Sequence, residues 1–176
     1  GGTSPETRSR FFRKFTPKMT FVMPAMALVT IGGGVTLAQW LGQFPNPAPW
    51  FALLTLATLA PVVLLGAAQF GALTDRRTIG LLVVVVGASA GWFGTTADQL
   101  VMLNHWILAA LGIVTLLSVI GFGVLLPGEI RMFREIVSEN PDEELIGDIG
   151  MRNAKLAGVQ GLLQLSIVFV MVNIRL

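Results

Sequence analysis

Few residues in this chain have side chains that could do chemistry, and His105 is the only histidine. If its helix begins slightly early, Asp98, Met102 and His105 fall at i, i+4 and i+7, on one face near the outer surface. Met171 comes to a similar depth from the outward end of the last apolar segment. A carboxylate, an imidazole and two thioethers suit copper, and His105 with Met171 could clamp a haem from two helices. Met19, Met23 and Met26 form a second thioether stripe beside Pro24, which is expected to kink the first helix and free a carbonyl.

The last apolar segment carries a polar face. Asn153, Ala157, Gln160, Gln164, Ile167 and Met171 lie on one helical stripe. Glutamine in hydrocarbon needs a partner, so this face is expected to look inward. It would serve either interhelical hydrogen bonding or a ligand or proton path. Gln39, Gln69 and Glu129 are the available partners, and Glu129 is the one carboxylate close to a crossing on the inner side.

Other chemistries are excluded by what is missing. The chain has no cysteine, which removes disulfides and thiolate sites. No HExxH, no Walker sequence and no paired intramembrane carboxylates are present. Ser118 and Ser166 lie in apolar stretches far from the lone histidine, so no hydrolytic set can form.

The elements that position these residues follow from charge. The 176 residues are 53% hydrophobic and only 12% charged, with a net charge of +2. A soluble domain carries roughly 25% charged residues, so this chain cannot coat a water-facing surface. The basic residues are not interleaved with aromatics on a folded face, which argues against nucleic acid and for a topology signal or anionic lipid.

No charge occurs from Met19 to Thr74, Thr78 to Ala97, Gln99 to Gly128 or Leu156 to Ile174. A crossing takes ~20 apolar residues, and the Pro-rich run 43–49 divides the first gap into two. The chain is therefore expected to be an all-α, polytopic transmembrane bundle of about five helices near 17–42, 49–73, 78–97, 104–127 and 155–174. With the N-terminus inside, eleven of the twelve Lys and Arg residues lie on the inner side and only Arg175 outside, as the positive-inside rule requires. Gly32-Gly33-Gly34, Gly87-xxx-Gly91, Gly121/Gly123 and Gly158/Gly161 are expected to mark helix contacts.

Residues 1–18 read as a basic cytoplasmic segment and 19–176 as a single membrane domain, with an amphipathic and acidic cytoplasmic connection at 128–154. In that connection Arg131 and Glu135 are spaced as a surface pair, Asn140 as an N-cap and Pro141 as the first residue of a helix. The start at Gly1 rather than Met leads us to expect either a tag scar or a truncated upstream segment before it.

Three stretches carry a resemblance. RFFRKFTPKMTFVMPAMALVTIGGGVTLA, GFGVLLPGEIRMFREI and NPDEELIGDIGMRNAKLAGVQGLLQLSIVFVMVNIRL look like parts of small integral membrane proteins loosely grouped with the copper-resistance D-type (CopD-like) superfamily. The resemblance covers both ends and is weak across 45–100. Such proteins often begin with a helix bearing a His and a Trp-x-Gly-Gly-like segment, which has no match here. The resemblance implies a multi-pass bundle in the plasma membrane that handles copper or haem, with no catalytic residues to carry over. The alternatives are an accessory subunit of a larger membrane complex, a homo-oligomer, or a small carrier whose path follows Gln160 and Gln164.

Overall fold

The computed structural model describes residues 5–138 and 140–173, with side chains from Val22 onward apart from Met23. The described residues form five helices: α1 (Pro5–Trp40), α2 (Pro47–Gln69), α3 (Arg76–Thr96), α4 (His105–Ile136) and α5 (Glu143–Asn173). A short 3-10 turn, Ala97–Gln99, follows α3. The fold is an all-helical bundle. Four helices, α2 to α5, are long and apolar enough to cross a membrane, which makes this a membrane protein.

Local chemistry sets the helix ends. Gly42 and Gly71 take φ of +68° and +65°, the left-handed conformation that closes a helix and that side chains with a Cβ resist. Around Gly42 the amide of Gln43 reaches back to the carbonyl of Ala38, and around Gly71 that of Ala72 reaches Ala67. Each bond satisfies a carbonyl that the helix end would otherwise leave bare. Asp75 caps α3 by accepting from the Arg77 amide at 2.8 Å. Asn104 caps α4 in the same way, from the Trp106 amide at 3.0 Å.

Contacts at the two ends establish an up-and-down course for α2 to α5. At one end Trp50 Nε1 donates to the Val101 carbonyl at 2.9 Å, and Asn46 Nδ2 donates to that of Gln99 at 3.3 Å. Phe44, Leu103 and Ile107 are buried there, with Val35 and Ala38 of α1 packed against them. Trp106 also meets Phe169 edge-on at this end, with ring centroids 6.2 Å apart. The far ends of α2 and α4 and the start of α5 meet at the other end, which carries Arg76, Arg77, Arg131, Arg134, Arg152 and Lys155. It is called the basic end below.

The last two helices overrun their expected lengths. At 1.5 Å per residue, 32 residues of α4 and 31 of α5 reach ~45 Å or more, against ~30 Å of hydrocarbon. The expected connection at 128–154 is therefore mostly continuous helix, α4 running on to Ile136 and α5 starting at Glu143. Asn140 does not cap α5. Asp142 does, because its Oδ1 accepts from the Leu145 amide at 3.0 Å while its own amide donates to Glu135 Oε1 at 3.1 Å. That bond also turns Glu135 away from its expected pairing with Arg131, whose Nη1 instead donates to the Gln69 carbonyl.

Helix α4 passes Pro127 by changing pitch. Residues Val119–Leu125 form a π-helical stretch, the wider turn that helices use to absorb an irregularity. The extra width sets Gly123 against α2, where a Cβ would lie 3.3 Å from both Val62 Cα and Leu65 Cδ1. Gly66 and Pro127 adjoin nearby, the proline's Cγ 3.8 Å from a Cβ at Gly66. These small residues let α2 and α4 touch closely.

Helix α3 stands at the edge, packed along α2 and without comparable contact to another helix. Thr78, Leu82, Val85, Ser89, Phe93 and Thr96 are its half-buried or buried face. Gly80, Gly87, Gly91 and Gly94 lie on the opposite face, exposed. The expectation that Gly87 and Gly91 mark a helix contact is not met among the described residues: a Cβ at either would meet nothing within 4 Å. Gly32, Gly33, Gly34, Gly158 and Gly161 are equally open, whereas Gly121 and Gly123 do lie at contacts.

Candidate functional site

A polar cluster ties three helices together at the basic end, and Gln69 is its hub. Pro127 has no N–H, so the carbonyl of Gly123, four residues earlier, loses its normal helical donor. The π-helical stretch disturbs the neighbouring bonds as well. Gln69, the last residue of α2, fills the gap: Nε2 donates to the carbonyls of Gly123 at 3.2 Å and Val124 at 2.9 Å. Its Oε1 accepts from Arg152 Nη2 of α5 at 2.6 Å, and its main-chain carbonyl accepts from Arg131 Nη1 of α4 at 3.3 Å. One side chain thereby joins α2, α4 and α5.

A second contact lies beside it. Asn153 is buried and donates from Nδ2 to Glu129 Oε1 at 3.2 Å. Its Oδ1 is buried without a partner. A Cβ at Gly128 would fall 2.9 Å from Asn153 Oδ1 and 3.0 Å from Nδ2, so only glycine leaves room for that amide. Leu65, Ala68, Gln69, Val124, Arg131 and Arg152 line an open cleft of about 350 Å³. Arg134 lies close by, its guanidinium 5.6 Å from the centre of the Phe70 ring.

The polar stripe on α5 divides along its length. Asn153 is buried, Gln160 is half-buried with Nε2 3.5 Å from a Cβ at Gly121, and Gln164 is exposed. The inward-facing arrangement expected of all three therefore does not extend to Gln164. The stripe rotates off the α4 contact as α5 rises. Of the expected partners, Glu129 does hold a residue of the stripe, Asn153, whereas Gln69 serves α4 and Arg152 instead. Gln39 is exposed on α1.

The expected outer donors do not share a helical face. Asn104 starts α4 at His105, so Asp98 stays in the 3-10 turn and Met102 in the extended segment between. Asp98, Met102, His105 and Met171 are all exposed. Among the described residues no three His, Cys, Asp or Glu side chains gather as a metal site. His105 and Met171 do flank the Trp106–Phe169 contact, on α4 and α5 respectively. Met26 is exposed, and the side chains of Met19 and Met23 lie outside the described residues.

Sequence reading named Gln69 and Glu129 only as possible partners for the α5 glutamines, and missed the arginine bonds. The available signal was Pro127 itself, which leaves a carbonyl bare that some donor must reach. Comparison with family models, with curated proteins and with solved structures gives no match to this chain.

Proposed function

We propose that this chain is an accessory subunit of a larger plasma-membrane complex, with its N-terminus inside and α1 as a fifth crossing. The glycine face of α3 carries this reading. A glycine in a helix costs about 1 kcal/mol relative to alanine, and no contact among the described residues offsets that at Gly80, Gly87, Gly91 or Gly94. Small residues on a membrane helix let a second helix approach closely. The face points directly away from α2, where helices of a partner subunit can dock. Replacing Gly87 and Gly91 together with leucine is expected to leave the thermal unfolding of the isolated chain unchanged or raised, since a Cβ at either position meets nothing within 4 Å and leucine is the better helix former. The same change is expected to release the chain from its complex in a mild detergent extract, read as the mass of the particle that contains it.

A second reading rests on the Trp106–Phe169 contact, which brings the His105 end of α4 to the Met171 end of α5. In that reading the pair holds copper or haem at the outer face, in keeping with the copper or haem handling that the CopD-like resemblance implies. An imidazole and a thioether are suitable ligands for either. The expected result is a Soret band or stoichiometric copper in purified protein, lost in His105→Ala. A colourless, metal-free wild type would contradict it.

A further inference from the structure

The cleft at the basic end has the chemistry of a phosphate site. Arg131 comes from α4 and Arg152 from α5, and Gln69 lies between them on the third wall. A guanidinium has five N–H donors, and the bond each arginine makes here runs to a neutral oxygen of Gln69. Glu129, a carboxylate of the same cluster, is bonded to Asn153 rather than to either arginine. Two positive charges thus face one cleft, and among the described residues most of their donors make no other bond. Arg76 and Arg77 are exposed at the same end but do not line the cleft.

The remaining walls are apolar. Leu65, Ala68 and Val124 continue the cleft toward the hydrocarbon-facing part of α2 and α4. A cleft of about 350 Å³ is at the lower end of the range for small-molecule sites, roughly 300–1,000 Å³. Fork-shaped guanidinium groups match the oxygens of a phosphate in geometry as well as charge. The Gln69 bonds hold both arginines in place before a ligand arrives, which reduces the ordering that binding requires.

The geometry points to a binding site for one phosphate group between Arg131 and Arg152, supplied by an anionic lipid headgroup or by a free phosphate. The position at the membrane boundary, with a cationic rim and an apolar floor, suits the headgroup and first carbons of a lipid. This site is independent of the glycine face of α3, so either can fail without the other.

The test is native mass spectrometry of the full chain in detergent, with phosphatidylglycerol, phosphatidylcholine or inorganic phosphate added separately. One tightly held phosphatidylglycerol is expected, with phosphatidylcholine bound at least tenfold more weakly. R131Q and R152Q should each weaken it about fivefold, and together roughly thirtyfold, given the attraction of about one kcal/mol per basic residue near anionic lipid. R76Q/R77Q should leave the affinity unchanged, which separates the cleft from general surface charge. Displacement by millimolar inorganic phosphate would assign the site to free phosphate, and persistence of the lipid would assign it to the headgroup. Equal retention of phosphatidylglycerol and phosphatidylcholine by the wild type, with no phosphate bound, would overturn the site whether or not the variants fold. So would binding unchanged in R131Q/R152Q.

Discussion

Replacing Gln69 with leucine is expected to destabilise the bundle by roughly 2–3 kcal/mol, from three lost side-chain bonds at about one each. The size follows from what remains behind. The carbonyls of Gly123 and Val124 would lose the donor that Gln69 Nε2 provides, and Pro127 cannot restore one because it has no N–H. Arg152 would lose its 2.6 Å bond to Oε1. Unfolding in detergent with increasing dodecyl sulfate measures the loss directly. Gln69→Glu separates the two effects, since it keeps an acceptor for Arg152 but offers the α4 carbonyls no donor when ionised. It should recover part of the stability, and Gln69→Leu should recover none. A change below about 0.5 kcal/mol in Gln69→Leu would mean that water replaces the amide at little cost.

Gly128→Ala is expected to destabilise by about 1–3 kcal/mol, the usual range for overfilling a packed site. The added methyl would lie 2.9 Å from Asn153 Oδ1, and the amide can move away only by giving up its bond to Glu129. Asn153→Ala in the same chain removes the nearest obstacle and leaves only the flexible end of Arg152 at 3.2 Å, so the double variant should be more stable than Gly128→Ala alone. Simple helix propensity predicts the opposite sign for the single change, because alanine is the better helix former. Gly87→Ala supplies the comparison. A Cβ there meets nothing within 4 Å, and the substitution should be neutral or mildly stabilising. The same unfolding titration reads all three variants.

Much of the fold was legible because charge and hydropathy act over whole segments. The charge-free runs placed α2 and α3 within a few residues, and the Pro-rich run at 43–49 marked the turn between α1 and α2. The helix ends were less legible. Whether Asn140 or Asp142 caps α5 depends on a bond to Glu135 across the turn, which no local pattern encodes. Helix α4 continued past Pro127 because a π-helical stretch and a glutamine from α2 compensate for the missing N–H. That compensation is tertiary, so the sequence marks 128–154 as an amphipathic connection but does not show how α4 passes the proline unbroken.

The candidate site was legible by residue type but not by partner. Asn153 was expected to face inward and is buried, whereas Gln164 lies on the same nominal stripe and is exposed. A stripe drawn at fixed spacing cannot tell where the neighbouring helix diverges. The glycines divide in the same way. Gly123 and Gly128 adjoin other helices of this chain, while Gly87 and Gly91 face outward. Only three-dimensional packing separates an internal contact from an open surface.

The most direct measurement is the mass of the particle holding this 18.8 kDa chain, extracted from its native membrane in mild detergent, for the wild type beside Gly87→Leu/Gly91→Leu. A complex of fixed stoichiometry that contains a second membrane protein, reduced to the free chain by the double substitution, is the expected result. A wild type that leaves the membrane as a free single chain, or a complex unchanged by the substitution, would contradict the accessory-subunit reading.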